Sequence, residues 1–256
     1  MKVYTAPEEL GRAAIRYFAQ AVGDHNPLYT DDEYARAHGY DGVIAPPTLI
    51  FETNQYTGLP RDEDGYAGHT WDLKTNVRGG NAYTFHQPVR PSDIITATWR
   101  IAGIEEKAGM TIVTSTADYT NQHGDRLGAN EETLIHIKAP KPPRQTTAED
   151  LEGLEPLERT IELPDMIAYA GATWDWHRLH YEGDPVVDGQ LFGALMAEQL
   201  QDEGARLRSL RFRLTSAVHA GETVRCTARM VSDTDVEQQV TAAGRLVARG
   251  TAVIVP

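Results

Sequence analysis

The sequence is poor in cysteine, in positive charge and in long apolar runs, and each of these absences excludes a class of protein. It contains one cysteine, Cys226, so an internal disulfide is excluded and a reducing compartment is expected. Its net charge is −13 and it shows no basic stripe that would neutralise phosphates of nucleic acid. Apolar runs stay short of the ~18 residues of a membrane span, and residues 1–9 lack the basic and apolar regions of a signal peptide. These absences predict a cytoplasmic protein that binds neither nucleic acid nor membrane.

A stretch rich in proline and charge divides the chain. Residues 138–145 hold three prolines, and an acidic segment follows them. Prolines remove hydrogen-bond donors from a strand and favour extended backbone. We therefore predict an N-terminal domain at residues 1–137, a linker at residues 138–157 and a C-terminal domain at residues 158–256. A length of 256 residues suits two domains of this size.

The two predicted domains repeat each other. The strand, polar turn and strand of residues 85–98 return at residues 214–227, and such self-similarity indicates a duplicated unit. Each copy has a helix, a loop with an aspartate, a longer apolar helix and several strands with alternating apolar residues. This order predicts an α+β fold in which each antiparallel sheet wraps one central helix.

The most informative segment is Asp-Trp-His-Arg-Leu-His at residues 175–180, with a degraded copy, Asp-His-Asn-Pro-Leu-Tyr, at residues 24–29. A carboxylate and an imidazole together can move a proton in both directions. Asp175 and His180 are therefore a candidate acid/base pair, and the alternative is two solvated groups on a surface loop. Tyr29 replaces the histidine in the first copy, and a phenol with a pKa of about 10 is a poor base at neutral pH.

Three segments carry a resemblance to one superfamily. Residues 21–29 resemble the hydratase-2 motif of MaoC-like hotdog proteins, and residues 42–48 resemble the non-catalytic dehydratase-like half of double-hotdog (R)-hydratases. Residues 174–182 resemble the His-Arg-Leu-His-Tyr segment of 3-methylfumaryl-CoA hydratase-like proteins. The resemblance implies a double hotdog, in which one continuous antiparallel sheet wraps two central helices. It also implies (R)-specific hydration of 2-enoyl thioesters, or the reverse dehydration of 3-hydroxyacyl thioesters.

The resemblance further implies residues and partners for that reaction. The catalytic aspartate of the family falls on Asp175, its histidine on His180, and the glycine whose amide polarises the thioester carbonyl on Gly189. The substrate is a small acyl thioester carried on coenzyme A or on the phosphopantetheine of acyl carrier protein, with no metal or redox cofactor. A double hotdog already contains the usual dimer of hotdog units in one chain. Whether two such chains form a homodimer is left open by the sequence.

Other side chains around the motif are candidate substrate contacts. They are Trp174, Trp176, Arg178, Tyr181 and Asp188. Core packing would explain the two tryptophans equally well, and Arg178 is as able to hold a carboxylate as a phosphate. Gly189 has a second interpretation as a glycine needed for close helix packing. Histidines outside the motif lack partners at metal-ligand spacing, so the sequence predicts no metal site.

The first copy lacks both groups that the reaction needs. Pro46 aligns with Gly189, and proline has no N–H to give to a developing oxyanion. We therefore expect the first domain to be a degenerate, non-catalytic half that completes the sheet and shapes the acyl pocket. Gly189 comes nine positions after His180, whereas Pro46 comes seventeen positions after Tyr29. The shorter interval predicts an open site for a bulky acyl group.

Two alternatives to hydration stay open at the level of sequence. One is a non-catalytic acyl-binding subunit that supports a partner dehydratase. The other is a hotdog tailoring enzyme or thioesterase that acts on a bulky acyl substrate.

Overall fold

The structure, a computed structural model, describes residues 1–53, 76–137, 146, 148, 151–202 and 204–255. Within these residues ten strands form one antiparallel sheet. The strands are β1 (Lys2–Thr5), β2 (Asn76–Phe85), β3 (Thr96–Lys107), β4 (Met110–Thr120), β5 (Arg126–Ile137), β6 (Leu157–Ile161), β7 (Arg206–Leu214), β8 (Glu222–Met230), β9 (Asp235–Ala242) and β10 (Arg245–Val255). The α-helices are α1 (Arg12–Val22), α2 (Asp32–Ala37), α3 (Leu49–Glu52), α4 (Leu163–Thr173) and α5 (Gln190–Asp202). Two 3₁₀ turns lie at Pro27–Tyr29 and Arg178–His180.

The strand order shows the duplication that the repeated sequence predicts. From one edge the sheet reads β1-β3-β4-β5-β2, and from the other edge it reads β6-β8-β9-β10-β7. Each strand of the first unit therefore has a counterpart at the equivalent place in the second. The units meet where β2 pairs antiparallel with β7, with Asn81 opposite Phe212. The prediction of an α+β double hotdog with one continuous antiparallel sheet is confirmed.

Several element boundaries differ from the sequence prediction. The edge strands β1 and β6 are not predicted, because each has only four or five residues, and most of the side chains of β1 are exposed. β2 ends at Phe85, and Pro88 soon after it has no N–H to give to a neighbouring strand. Most of the predicted linker lies outside the described residues. β6 begins at Leu157 and pairs with β8.

The two central helices lie on the same face of the sheet. Every residue of α5 from Leu191 to Leu200 is buried, and Gly193 leaves room for the ring of Phe212 on β7, which a Cβ there would approach to 2.5 Å. Phe51 of α3 stacks on Tyr83 of β2 at 4.7 Å, and Tyr83 meets Phe212 at 5.7 Å. The helix α3 is a single turn, shorter than predicted, because Thr53 already has extended backbone.

The helices that precede the two motifs end in the same way. α1 and α4 pack on each other, and each is followed by a residue in the left-handed region, Gly23 with φ 84° and Trp174 with φ 61°. The chain then turns into the motif loop, so Asp24 and Asp175 occupy equivalent places in the two units. Among the described residues, no helix has both the length and the hydropathy needed to cross a bilayer.

Candidate active site

Asp175 begins a loop whose backbone is held by its own side chains. Its Oδ1 accepts a hydrogen bond from the amide of His177 at 3.2 Å, and Nδ1 of His177 accepts one from the amide of Leu179 at 3.2 Å. The first unit folds its copy similarly, because Asp24 and Asn26 accept from the amides two residues on, at 3.0 and 3.1 Å. Side chains that bond the backbone two residues later stabilise such turns. Local hydrogen bonds within each motif therefore determine the conformation of its loop.

His180 is oriented by a backbone carbonyl. Its Nδ1 lies 2.7 Å from the carbonyl oxygen of Val186, and since a carbonyl only accepts, Nδ1 carries the hydrogen of that bond. In the neutral ring Nε2 is then the unprotonated nitrogen. Nε2 lies 3.9 Å from Oδ2 of Asp188. The segment that carries Val186 is held in turn by the hydrogen bond from the amide of Val187 to the carbonyl of Val218, at 2.8 Å.

Asp188 joins the predicted pair as a third titratable group. Asp175, His180 and Asp188 each offer one side-chain atom, and these three atoms lie within 4.8 Å of one another. Asp188 is 8% exposed, and its Oδ1 accepts from the amide of Gln190 at 2.9 Å, which satisfies an unpaired donor at the start of α5. Asp188 was a candidate substrate contact from the sequence, and the structure places it against the acid/base pair.

The three side chains face one small cavity with room for about one water molecule. Its lining residues come from α4, the motif loop and the start of α5: Met166, Tyr169, Ala170, Asp175, His180, Val187, Asp188 and Leu191. The residues of α4 were not predicted, although their i, i+3 and i+4 spacing directly before the motif is a helical face that sequence could have indicated. The cavity is therefore apolar on the helix side and ionisable on the loop side.

The surroundings of Asp175 disfavour the ionised form of its carboxyl group. Burial raises its pKa above the ordinary value, the negative charge of Asp188 raises it further, and His180 acts in the opposite direction. Two carboxylates and an imidazole at these distances also have the donor types and spacing of a divalent-cation site. The prediction of no metal site therefore stays a prediction.

Gly189 lies immediately before α5, where the sequence places the oxyanion donor. Its amide donates no hydrogen bond to any residue that the structure describes, and the first turn of a helix concentrates such unpaired donors at its positive end. A Cβ at Gly189 would lie 2.3 Å from Cδ1 of Leu214. Both sequence interpretations of this glycine, close packing and a free amide, fit the same geometry.

The remaining candidate contacts lie on the surface beside the motif and do not line the cavity. Trp174 and Trp176 are about half exposed and pack edge to face at 6.2 Å. Arg178 pairs with Glu182 at 3.0 Å, and Tyr181 donates its hydroxyl hydrogen to the carbonyl of Trp176 at 3.1 Å. Their role in binding stays a prediction.

In the first unit, the side chain of Tyr29 lies against Asp24, at the place that corresponds to the acid/base pair of the second unit. The hydroxyl of Tyr29 lies 3.0 Å from Oδ2 of Asp24 and 2.6 Å from Oε1 of Gln201. Tyr29 is 2% exposed and Asp24 5%, so the phenol is buried against the carboxylate that corresponds to Asp175. This geometry supports the expectation that the first unit is not catalytic.

Comparisons with known proteins agree with this architecture. Residues 1–129 match the family described as "FAS1-like, dehydratase domain region". A UPF0336 protein of Streptomyces coelicolor is 39% identical over 123 residues, which cover 48% of this chain and 81% of that protein. A solved MaoC-like dehydratase superposes with a TM-score of 0.81 at 18% identity, over 98% of this chain and 97% of that one. A Mycobacterium tuberculosis protein described as a double hotdog gives a TM-score of 0.64 at 14% identity, over 99% and 96%.

Proposed function

The chain belongs to the family of FAS1-like dehydratase domain regions, and on that premise we propose that it is an (R)-specific hydratase/dehydratase of acyl thioesters. It interconverts 2-enoyl and 3-hydroxyacyl groups carried on coenzyme A or acyl carrier protein. The observation that carries the proposal is the meeting of Asp175, His180 and Asp188 at one cavity of about the size of a water molecule. Hydration of a conjugated thioester needs this combination, a water held between two groups that exchange protons.

In the hydration direction the water lies between Asp175 and His180. Nε2 of His180 takes a proton from it while its oxygen bonds to C3, because the bond from Nδ1 to Val186 leaves Nε2 as the acceptor. The electron pair of the C2–C3 bond moves towards the thioester carbonyl, and C2 then takes a proton from the carboxyl of Asp175. The raised pKa of Asp175 favours the protonated carboxyl that this step needs. Transfer of the proton from His180 to Asp175 restores the pair.

The developing enolate oxygen needs a donor where its charge appears. The amide of Gly189, at the start of the 13-residue helix α5, supplies one in this proposal, and removal of such a donor typically costs about 10²–10³ in kcat. The half-exposed Trp174 and Trp176, with Arg178 and Tyr181, then form the rim along which the pantetheine of the carrier lies. No metal or redox cofactor takes part in this scheme.

The division of labour between the units is part of the same proposal. Residues 158–256 carry the chemistry, residues 138–157 connect the units, and residues 1–137 complete the sheet and close the acyl pocket. We place the reaction in the cytoplasm, since the only cysteine, Cys226, is a buried thiol.

Turnover of a panel of 2-enoyl-CoA esters tests the proposal. The wild-type chain is expected to remove the absorbance of the conjugated thioester without releasing free thiol, and His180→Ala is expected to lower kcat/KM about 10²–10⁴-fold. His25→Ala is the matched control, because His25 belongs to the motif of the first copy and is exposed. It is expected to keep wild-type activity.

The other outcomes identify the alternatives. Release of thiol from an enoyl or 3-hydroxyacyl ester would make the chain a thioesterase. Absence of turnover in the chain alone, together with stoichiometric binding of an acyl thioester, would make it an acyl-binding subunit for a partner dehydratase. Equal activity of His180→Ala and wild type would remove the assignment of the site.

A further inference from the structure

The short helix α3 of the first unit is hydrogen-bonded to both elements that enclose the cavity of the second. Oε2 of Glu52 accepts from the hydroxyl of Tyr169 on α4 at 2.6 Å, and Tyr169 lines the cavity. The carbonyl of Phe51 accepts from Nε2 of Gln190 at 3.2 Å, and Gln190 is the first residue of α5, directly after Gly189. A single helical turn therefore connects the cavity wall to the turn that holds the proposed oxyanion donor.

Glu52 is an uncommon residue for its surroundings. It is 2% exposed, and its second oxygen, Oε1, is buried without a hydrogen-bond partner among the described residues. The groups around it are the hydroxyl of Thr48 just before α3, Arg78 and Tyr83 on β2, Tyr169 on α4 and Asp188 before α5. An ionised carboxylate there would be buried with an oxygen unsatisfied, which is costly.

The charges that face Glu52 favour its neutral form. Burial raises the pKa of Glu52 well above the ordinary value, and the carboxylate of Asp188 raises it further, against the hydrogen bonds from Tyr169 and Thr48 and the positive charge of Arg78. Arg78 is already paired with Glu132. These contacts therefore favour the neutral carboxylic acid, and a glutamine at this position would match the shape and charge of that form.

We propose that Glu52, supplied by the unit that lacks the acid/base pair, is a positioning residue of the catalytic site. It holds the hydroxyl of Tyr169 and so fixes the wall of α4 against which the reacting water and C3 of the substrate are placed. Glu52 touches neither Asp175 nor His180 through any hydrogen bond that the structure describes. Its effect therefore passes through Tyr169, and the inference rests on the proposed hydratase activity of this site.

Three variants separate positioning from simple loss of stability. Glu52→Leu removes the acceptor at similar volume and is expected to lower kcat about 10- to 100-fold while KM changes less than about threefold, since a small misplacement of reacting groups costs this much. Glu52→Gln keeps an acceptor for Tyr169 and is expected to stay within about threefold of wild type, with an unchanged pH profile. Tyr169→Phe removes the other partner and is expected to match Glu52→Leu.

Non-additivity is the sharpest part of the test. If Glu52 acts through Tyr169, the double variant Glu52→Leu with Tyr169→Phe is expected to be no slower than either single variant. Glu198→Gln is the matched control, because Glu198 is also a buried glutamate, 4% exposed, but pairs with Arg159 and does not line the cavity. It is expected to lower Tm and leave kcat unchanged. Equal activity of Glu52→Leu and wild type, or equal losses in Glu52→Leu and Glu52→Gln, would overturn the proposal.

A measurement without turnover keeps this inference distinct from the proposed function. The ring nitrogen signals of His180, followed by NMR, report the environment of the site whether or not a thioester is hydrated. Glu52→Leu is expected to shift these signals and Glu52→Gln to leave them in place. Shifted signals in a chain that hydrates no thioester would contradict the activity but not the positioning, and unmoved signals in Glu52→Leu would contradict the positioning itself.

Discussion

At the scale of single residues, the site is shaped by two carboxylates that lie close to one imidazole. Asp175 and Asp188 come from different sides of the cavity, and His180 lies between them in sequence and within 4.8 Å of both. Like charges this close disfavour simultaneous ionisation. The protonation of Asp175 is therefore set by its neighbour as well as by burial, which makes the rate of the proposed reaction dependent on pH in a way that one substitution can change.

Asp188→Asn is expected to move the alkaline limb of the pH profile for hydration to lower pH, because Asp175 must be protonated to act as the acid. The substitution removes a negative charge that raises the pKa of Asp175, so Asp175 ionises at lower pH in the variant, while an amide oxygen still accepts from Gln190. The dependence of kcat/KM on pH measures the shift. Asp184→Asn is the control, since Asp184 is 84% exposed and pairs with His219. An unmoved limb in Asp188→Asn would show that Asp175 does not titrate in the profile.

At the scale of elements, the junction between β2 and β7 is the most sterically demanding part of the sheet. A register shift between Arg78 and Gly80 marks a bulge in β2, and Gly80 has φ 152°. A Cβ at Gly80 would lie 2.2 Å from the carbonyl oxygen of Phe212 on β7. Because that oxygen belongs to the backbone of a paired strand, it cannot move without breaking the junction.

Gly80→Ala is therefore expected to lower the free energy of unfolding by about 2–4 kcal/mol, from overpacking together with an unfavourable φ. Thermal or denaturant unfolding measures the loss. Gly103→Ala is the matched control, because Gly103 also lies at a register shift, in β3, but has open space where a Cβ would go. It is expected to stay within about 0.5 kcal/mol of wild type. Similar losses in both variants would show that the junction is not the cause.

At the scale of the whole molecule, one buried ion pair ties the two units together. The guanidinium of Arg159 on β6 pairs with Glu198 of α5 at 2.8 Å and also donates to the carbonyls of Val22 and Gly23, at the end of α1 in the first unit. The side chain of Glu198 is 5% exposed. Removal of one partner of such a pair leaves an uncompensated charge, whereas removal of both does not.

Arg159→Leu is expected to cost about 3–5 kcal/mol of unfolding free energy, because it removes the guanidinium that pairs with the buried carboxylate of Glu198. The double variant Arg159→Leu with Glu198→Leu is expected to recover most of that loss. A double-mutant cycle of denaturant unfolding checks both statements. Additive losses in the cycle would mean that the two side chains act independently.

Much of this protein follows from local patterns in its sequence. Alternating apolar residues and the repeat of residues 85–98 at residues 214–227 are enough to predict a duplicated antiparallel sheet. The pairing of Asp175 with His180 is also predictable, because the two residues are only five positions apart in the same loop. Short edge strands such as β1 escape prediction because four residues carry too little periodicity.

The residues that other elements bring to the site could not be predicted from the sequence. Asp188 and Tyr169 meet the motif loop, and Glu52 meets Tyr169, only because α5, α4 and α3 pack on one face of a sheet that joins both units. No spacing along the chain relates Glu52 to Tyr169. The burial that raises the pKa of Glu52 arises only when the two units pack together. Chain order thus predicts the candidate acid/base pair, while long-range packing determines which other side chains surround it and influence its charge.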